Sequence, residues 1–192
     1  LRTTAGVLAR AVAVVAVVAL LPAFAPPSVS ATTDALSDHR LLIAHRGYDT
    51  GGLENTLSAL EAARPFHPDF VEVDIQQTAD GGFVASHDTN LIYLAGVNRN
   101  IFDMTTAEVT ATRVRMHGNS DTIPTMVDFV DRAHELGIPL LVEFKVNGHE
   151  HPGFVKAALD ELDRAGLLAG TTFHSLDPAV VDTIRALDPT LR

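Results

Sequence analysis

At 192 residues the chain is long enough for one domain, and its net charge of −10 argues against nucleic acid as a partner, since phosphate backbones call for a basic surface. Cysteine is absent, which excludes a disulfide framework, a zinc–thiolate site and a cysteine nucleophile and leaves the compartment open.

Arg2 and Arg10 precede an uncharged apolar run, AVAVVAVVALLPAFA at residues 11–25. A spanning helix takes about 20 apolar residues, whereas a secretory signal combines a basic start, an apolar run of about 7–15 residues and a small-residue cleavage site. This run is short and contains Pro22, and Val29-Ser30-Ala31 would serve as the cleavage site. Residues 1–31 therefore read as a signal peptide or a transmembrane anchor. The anchor is favoured because the chain starts at Leu1 rather than Met, as expected of a fragment cut at both ends. Either reading keeps the arginines cytoplasmic and makes the chain after Ala31 extracytoplasmic, membrane-anchored or secreted. Residues 32–40 are a polar linker.

Residues 41–44 are all apolar, as in a strand buried on both faces of a parallel sheet. Asn55 is placed to cap a helix running to about Arg64, with Leu57, Leu60 and Ala63 on one stripe and Pro65 as its stop. Residues 70–78 read as a strand with Val71, Val73 and Ile75 on one face. Asp80-Gly81-Gly82 is a turn, after which residues 83–86 return as a strand. Residues 91–119 read as irregular, with a short helix near 106–111. A helix at 127–136 stopped by Gly137, a strand at 139–145, a helix at 154–165, a strand at 171–175 and a helix at 179–187 complete the chain. Such alternation points to an α/β fold with a parallel sheet. Five strands after the linker fall short of a complete (β/α)8 barrel, which takes roughly 250 residues. An open doubly wound sheet is the rival, although no Gly-rich nucleotide loop comes after the first strand.

Glu72 and Asp74 stand at i and i+2 on a strand and leave the same face. Paired carboxylates repel unless a cation sits between them. Glu143 repeats the arrangement on a later strand, and three carboxylates without thiolate favour Ca2+ or Mg2+ over zinc. His45 and His87 lie at the exits of two apolar strands, where a barrel would gather them into one mouth. Two such imidazoles supply a base for the attacking oxygen and an acid for the leaving one. Arg46 and Lys145 are cations for phosphate oxygens, Gly47 allows a sharp turn, and Glu54 joins the site or caps the first helix. His149 and His151 lack further ligands and read as a solvated loop; His134 reads as surface, and His174 is left without a role.

AHRG at 44–47, ENT at 54–56, VEVDIQQTADGGFVASHD at 71–88 and LVEFK at 141–145 together resemble the glycerophosphodiester phosphodiesterase family. LAGVNRNIFDMT at 94–105 and HSLDPAVV at 174–181 look like its bacterial subgroup fused to an N-terminal membrane domain. The resemblance implies a TIM barrel over residues 41–192, truncated at its C-terminus. It also implies hydrolysis of small-molecule or lipid-derived phosphodiesters to sn-glycerol 3-phosphate and an alcohol, with one divalent cation, Ca2+ or Mg2+. His45 and His87 look like the acid–base pair, Glu72, Asp74 and Glu143 like the metal ligands, and Arg46 and Lys145 like phosphate contacts. Leu53 stands where the family usually has proline, and the family's later strands lie beyond Arg192. A phospholipase-type enzyme on the same barrel and a catalytically inactive envelope binding protein are the alternatives.

Overall fold

A computed structural model of the protein describes residues 40–192. The apolar segment at 1–31 and the linker up to residue 39 lie outside the described residues. Among the described residues no helix is long and apolar enough to cross a membrane.

The first strand, β1 (Ile43–Ala44), ends in a tight turn at Arg46 and Gly47, whose φ values are +58° and +84°. A Cβ on Gly47 would sit 2.7 Å from the backbone carbon of Ala59, so only glycine lets the turn rest directly on helix α1 (Leu57–Ala63). The cap of that helix is Thr56, not Asn55. Asn55 takes a left-handed φ of +56° and spends its side chain on the neighbouring strand instead.

Strand β2 (Phe70–Gln77) pairs in parallel with β1. After the Asp80–Gly81 turn, β3 (Phe83–Ala85) pairs antiparallel with its far end. The chain then makes an excursion that carries α2 (Ile92–Ala95), α3 (Thr106–Thr110) and a hairpin of β4 (Arg113–Met116) and β5 (Asn119–Thr122). The sequence reading has the helix near 106 but neither α2 nor the hairpin, because α2 and β5 are short and without apolar alternation and β4 alternates over only four residues. They close a separate small core around Leu53, Val84, Leu91, Ile101, Met104 and Val109. Regular alternation then resumes with α4 (Met126–Leu136), β6 (Leu140–Phe144), α5 (Phe154–Arg164), β7 (Thr171–His174) and α6 (Pro178–Leu187).

The parallel strands lie in the order β1-β2-β6-β7, with β3 sharing the β1 edge of β2. Val71, Val73, Ile75, Leu140, Val142, Phe144 and Phe173 form one core with Leu60 of α1, Phe129 and Val130 of α4, Leu159 and Leu162 of α5, and Ile184 of α6. The alternate residues on β2 and β6, Glu72, Asp74, Gln76 and Glu143, face the other way. Helices on one face and chemistry on the other are the wall of a (β/α) barrel; a doubly wound sheet would carry helices on both. Among the described residues the sheet stays open, with β1 and β7 at its ends.

Candidate active site

Register brings the site together. Asp74 pairs with Glu143 and Glu143 pairs with His174, so three adjacent strands present these side chains in a row, with Glu72 two residues back on β2. Glu72, Asp74 and Glu143 are 4%, 1% and 8% exposed, which is deep burial for carboxylates and demands compensation.

Asp74 is compensated best. The Asn55 side-chain amide donates to its Oδ2 at 2.9 Å, and the Asp74 backbone N–H donates to Asn55 Oδ1 at 3.0 Å. Arg46 Nε lies 3.3 Å from Asp74 Oδ2, and Lys145 Nζ lies 3.4 Å from Oδ1 and 3.2 Å from Glu143 Oε1. Arg46 also pairs with Glu54 at 3.3 Å, which ties Glu54 to the site through the guanidinium rather than to the end of α1. Glu72 accepts only the Arg46 backbone N–H, at 2.9 Å on Oε2; its Oε1 is buried without a hydrogen bond. Burial first and the Asp74 charge second push the Glu72 carboxyl up to about 7.

His45 Nε2 lies 3.8 Å from Glu72 Oε2, and the side chain is 70% exposed, open to a substrate. His87 sits where the chain leaves β3, with Nδ1 at 2.8 Å from Asp88 Oδ1, an arrangement that leaves Nε2 for chemistry. Its carbonyl oxygen accepts from Gln76 Nε2 at 2.9 Å, and the Ser86 carbonyl accepts from the same amide at 3.0 Å. Gln76 is the third residue on the Glu72–Asp74 face, so β2 fixes the His87 segment through it. Sequence reasoning missed both the Gln76 role and the Asn55–Asp74 clamp. The i, i+2, i+4 spacing on β2 was the available signal for Gln76; for Asn55 there was none.

His174, left without a role, sits on the same face: its Nε2 is buried with no hydrogen-bond partner, and burial lowers its pKa. One ligand atom each from Glu72, Glu143 and His174 lie within 4.8 Å of one another. His149 and His151 are exposed, with His149 stacked on Phe102 at 3.8 Å, and His134 is on the surface.

The site fits a divalent cation. With Glu72 ionised, Glu54, Glu72, Asp74 and Glu143 bring four negative charges against the two positive charges of Arg46 and Lys145, an excess of two that a cation would offset. Glu72 Oε1 and Asp74 Oδ1 are buried oxygens without hydrogen bonds, and carboxylate oxygens are hard ligands. Beside Glu143 and Lys145 an open cavity of about 420 Å³ runs along Phe144, Val146, Ser175, Leu176 and Pro178.

Known proteins resemble the chain in sequence and in fold. It is 32% identical over 152 residues to human glycerophosphodiester phosphodiesterase 1, covering 76% of this chain and 45% of that protein. It is 43% identical over 60 residues to lysophospholipase D GDPD3 of Mus musculus, covering 31% of this chain and 18% of that one. The chain thus spans less than half the length of either relative. The phosphodiesterase of Oleispira antarctica, solved in complex with the product sn-glycerol-3-phosphate, superposes with a TM-score of 0.68 at 24% identity, covering 79% of this chain and 64% of that one, and shares its fold. Residues 45–192, which include every candidate side chain of the site, match the glycerophosphoryl diester phosphodiesterase family, and the chain belongs to that family.

Proposed function

We propose that this protein hydrolyses glycerophosphodiesters to sn-glycerol 3-phosphate and an alcohol, with His45 and His87 as the acid–base pair and a divalent cation held by Glu72, Asp74 and Glu143. The observation that carries the reading is that both histidines and all three carboxylates fall within the family match and that the carboxylates share one face of the sheet. When bound, a cation such as Ca2+ or Mg2+ supplies Lewis-acid neutralisation of phosphate charge.

The chain's own residues do the rest. Arg46 and Lys145 hold the phosphate oxygens, the first as a planar fork and the second as a point charge. One histidine takes the proton from the nucleophile as its oxygen bonds to phosphorus; the nucleophile is water, or a neighbouring hydroxyl of the substrate whose attack gives a cyclic phosphate that water then opens to sn-glycerol 3-phosphate. As the bond from phosphorus to the departing oxygen breaks, the other histidine protonates that oxygen. Asp88 orients the His87 ring, since its Oδ1 lies 2.8 Å from Nδ1, and leaves Nε2 facing the reaction.

The apolar residues at 11–25 behind Arg2 and Arg10 support an extracytoplasmic placement, tethered to the membrane or secreted, and the stretches at 94–105 and 174–181 support membership of the subgroup fused to a membrane domain. A second reading is cleavage of lysophospholipids on the same site. Val146 and Leu176, 42% and 83% exposed beside the cavity, favour a substrate with an apolar portion, and the name of the mouse relative agrees with it. Incubating the protein with glycerophosphocholine and with lysophosphatidylcholine, with Mg2+ or Ca2+, separates the readings. Choline and glycerol 3-phosphate from the first substrate support the main reading, faster turnover of the second supports the other, and no turnover of either refutes both.

A further inference from the structure

The inward face of β7 presents a group that the proposed acid–base chemistry does not use. Register sets His174 beside Glu143 as it sets Glu143 beside Asp74, so the imidazole continues the carboxylate row by one strand. Its Nε2 is buried and unbonded, as is Glu72 Oε1. A buried polar atom without a partner is costly to the fold, a cost that is retained at a functional site when a ligand satisfies the atom. Asp74 faces Asn55, Arg46 and Lys145 and keeps one buried oxygen, Oδ1, without a hydrogen bond, so it stays in the carboxylate set that His174 would join. The trio that converges within 4.8 Å is Glu72, Glu143 and His174.

We propose that His174 is a direct ligand of the cation, alongside Glu72 and Glu143, and that this nitrogen donor gives the site a preference for Mn2+ over Ca2+. The inference rests on the cation in the proposed function. Carboxylates alone suit any hard cation, whereas an imidazole in the set favours the borderline ions, which tolerate nitrogen better than Ca2+ does. His45 is the competing imidazole, since its Nε2 lies 3.8 Å from Glu72 Oε2. Its 70% exposure places it on the substrate side instead.

Binding of Mn2+ to the full chain, monitored by loss of the free-ion electron paramagnetic resonance signal, tests this without reference to turnover. Pulsed spectra of the bound ion should show coupling to a directly ligated nitrogen-14, replaced by nitrogen-15 coupling when the protein is grown with labelled histidine. That labelled sample needs no substitution and keeps the question answerable should a variant misfold. H174Q should lose the coupling and reduce the Mn2+/Ca2+ affinity ratio roughly tenfold or more, while H45Q keeps both. Bound Mn2+ without nitrogen coupling, or coupling that survives in H174Q, overturns the inference and leaves the proposed function standing. An absence of Mn2+ binding overturns it too, and calorimetric titration with Ca2+ and Mg2+ then decides separately whether a cation stays in the proposed function.

Discussion

Asn55 and Asp74 hold each other through reciprocal hydrogen bonds, the side-chain amide to the carboxylate at 2.9 Å and the strand N–H back to the amide oxygen at 3.0 Å. The pair joins the segment before α1 to the middle of β2, and the Asn55 backbone N–H donates to the Arg46 carbonyl at 3.0 Å, which holds Arg46 beside the same carboxylate. Asparagine suits both demands, because it tolerates the left-handed φ of +56° and offers a donor and an acceptor together.

N55A should therefore destabilise the protein by roughly 2–4 kcal/mol, adding unsatisfied buried groups to a strained backbone. N55D should cost at least as much, since a second carboxylate would face Asp74 without a donor. Urea denaturation checks both; a loss under about 0.5 kcal/mol, the scale of an unremarkable surface change, would contradict the clamp.

Glu72 gives a pH dependence of definite sign. Its carboxyl is raised from 4.5 to about 7 in the fold, so between those values the folded state holds a proton that the unfolded chain releases. In chelator the melting temperature should fall as pH rises from about 4.5 to about 7 and then level off with respect to this group. A bound cation offsets the charge, so saturating Mg2+ should shrink the fall. E72Q should flatten the profile in chelator while weakening Mg2+ binding. A variant that binds Mg2+ as well as the parent would contradict the placement of Glu72 in the cation site.

The His87 segment is held by two neighbours, Asp88 on its ring and Gln76 on its carbonyl. D88N should lower kcat roughly 10–100-fold with little change in KM, less than the ~10²–10⁴ expected for losing a general acid or base outright. Q76A should act in the same direction, because Gln76 Nε2 holds the His87 carbonyl at 2.9 Å. Steady-state kinetics on glycerophosphocholine decide, and a rise in KM with kcat unchanged would mean that these residues bind substrate instead.

Gly47 has no substitute. Its φ of +84° and the 2.7 Å approach of a would-be Cβ to the Ala59 backbone leave no room for alanine. G47A should cost roughly 2–4 kcal/mol and displace the His45–Arg46 turn, losing activity and stability together. Calorimetry showing a melting temperature within a degree or two of the parent would refute this.

The sequence made the sheet legible wherever periodicity was strong. Residues 70–78 alternate Val71, Val73 and Ile75 with Glu72 and Asp74, and the strand forms at Phe70–Gln77 with those two faces. Helices α4, α5 and α6 fall within a residue or so of their apolar stripes. Of the excursion between β3 and α4 only α3 was legible, since the four residues of α2 and the polar Asn119–Thr122 strand carry no period to read. In the site, residue types were enough to single out His45, His87 and the carboxylates. The row from Asp74 through Glu143 to His174 needed the register, which spacing along one chain does not contain.

The central claim is that His45 and His87 do acid–base work beside the Glu72–Asp74–Glu143 face. Its most direct test is the pH–rate profile of glycerophosphocholine hydrolysis at saturating Mg2+ for the parent, H45A and H87A, with Mg2+ binding measured in parallel. A bell-shaped parent profile is expected, with each variant losing ~10²–10⁴ in kcat together with one limb of the bell, while its Mg2+ affinity holds. Either variant keeping its turnover and both limbs would contradict the account.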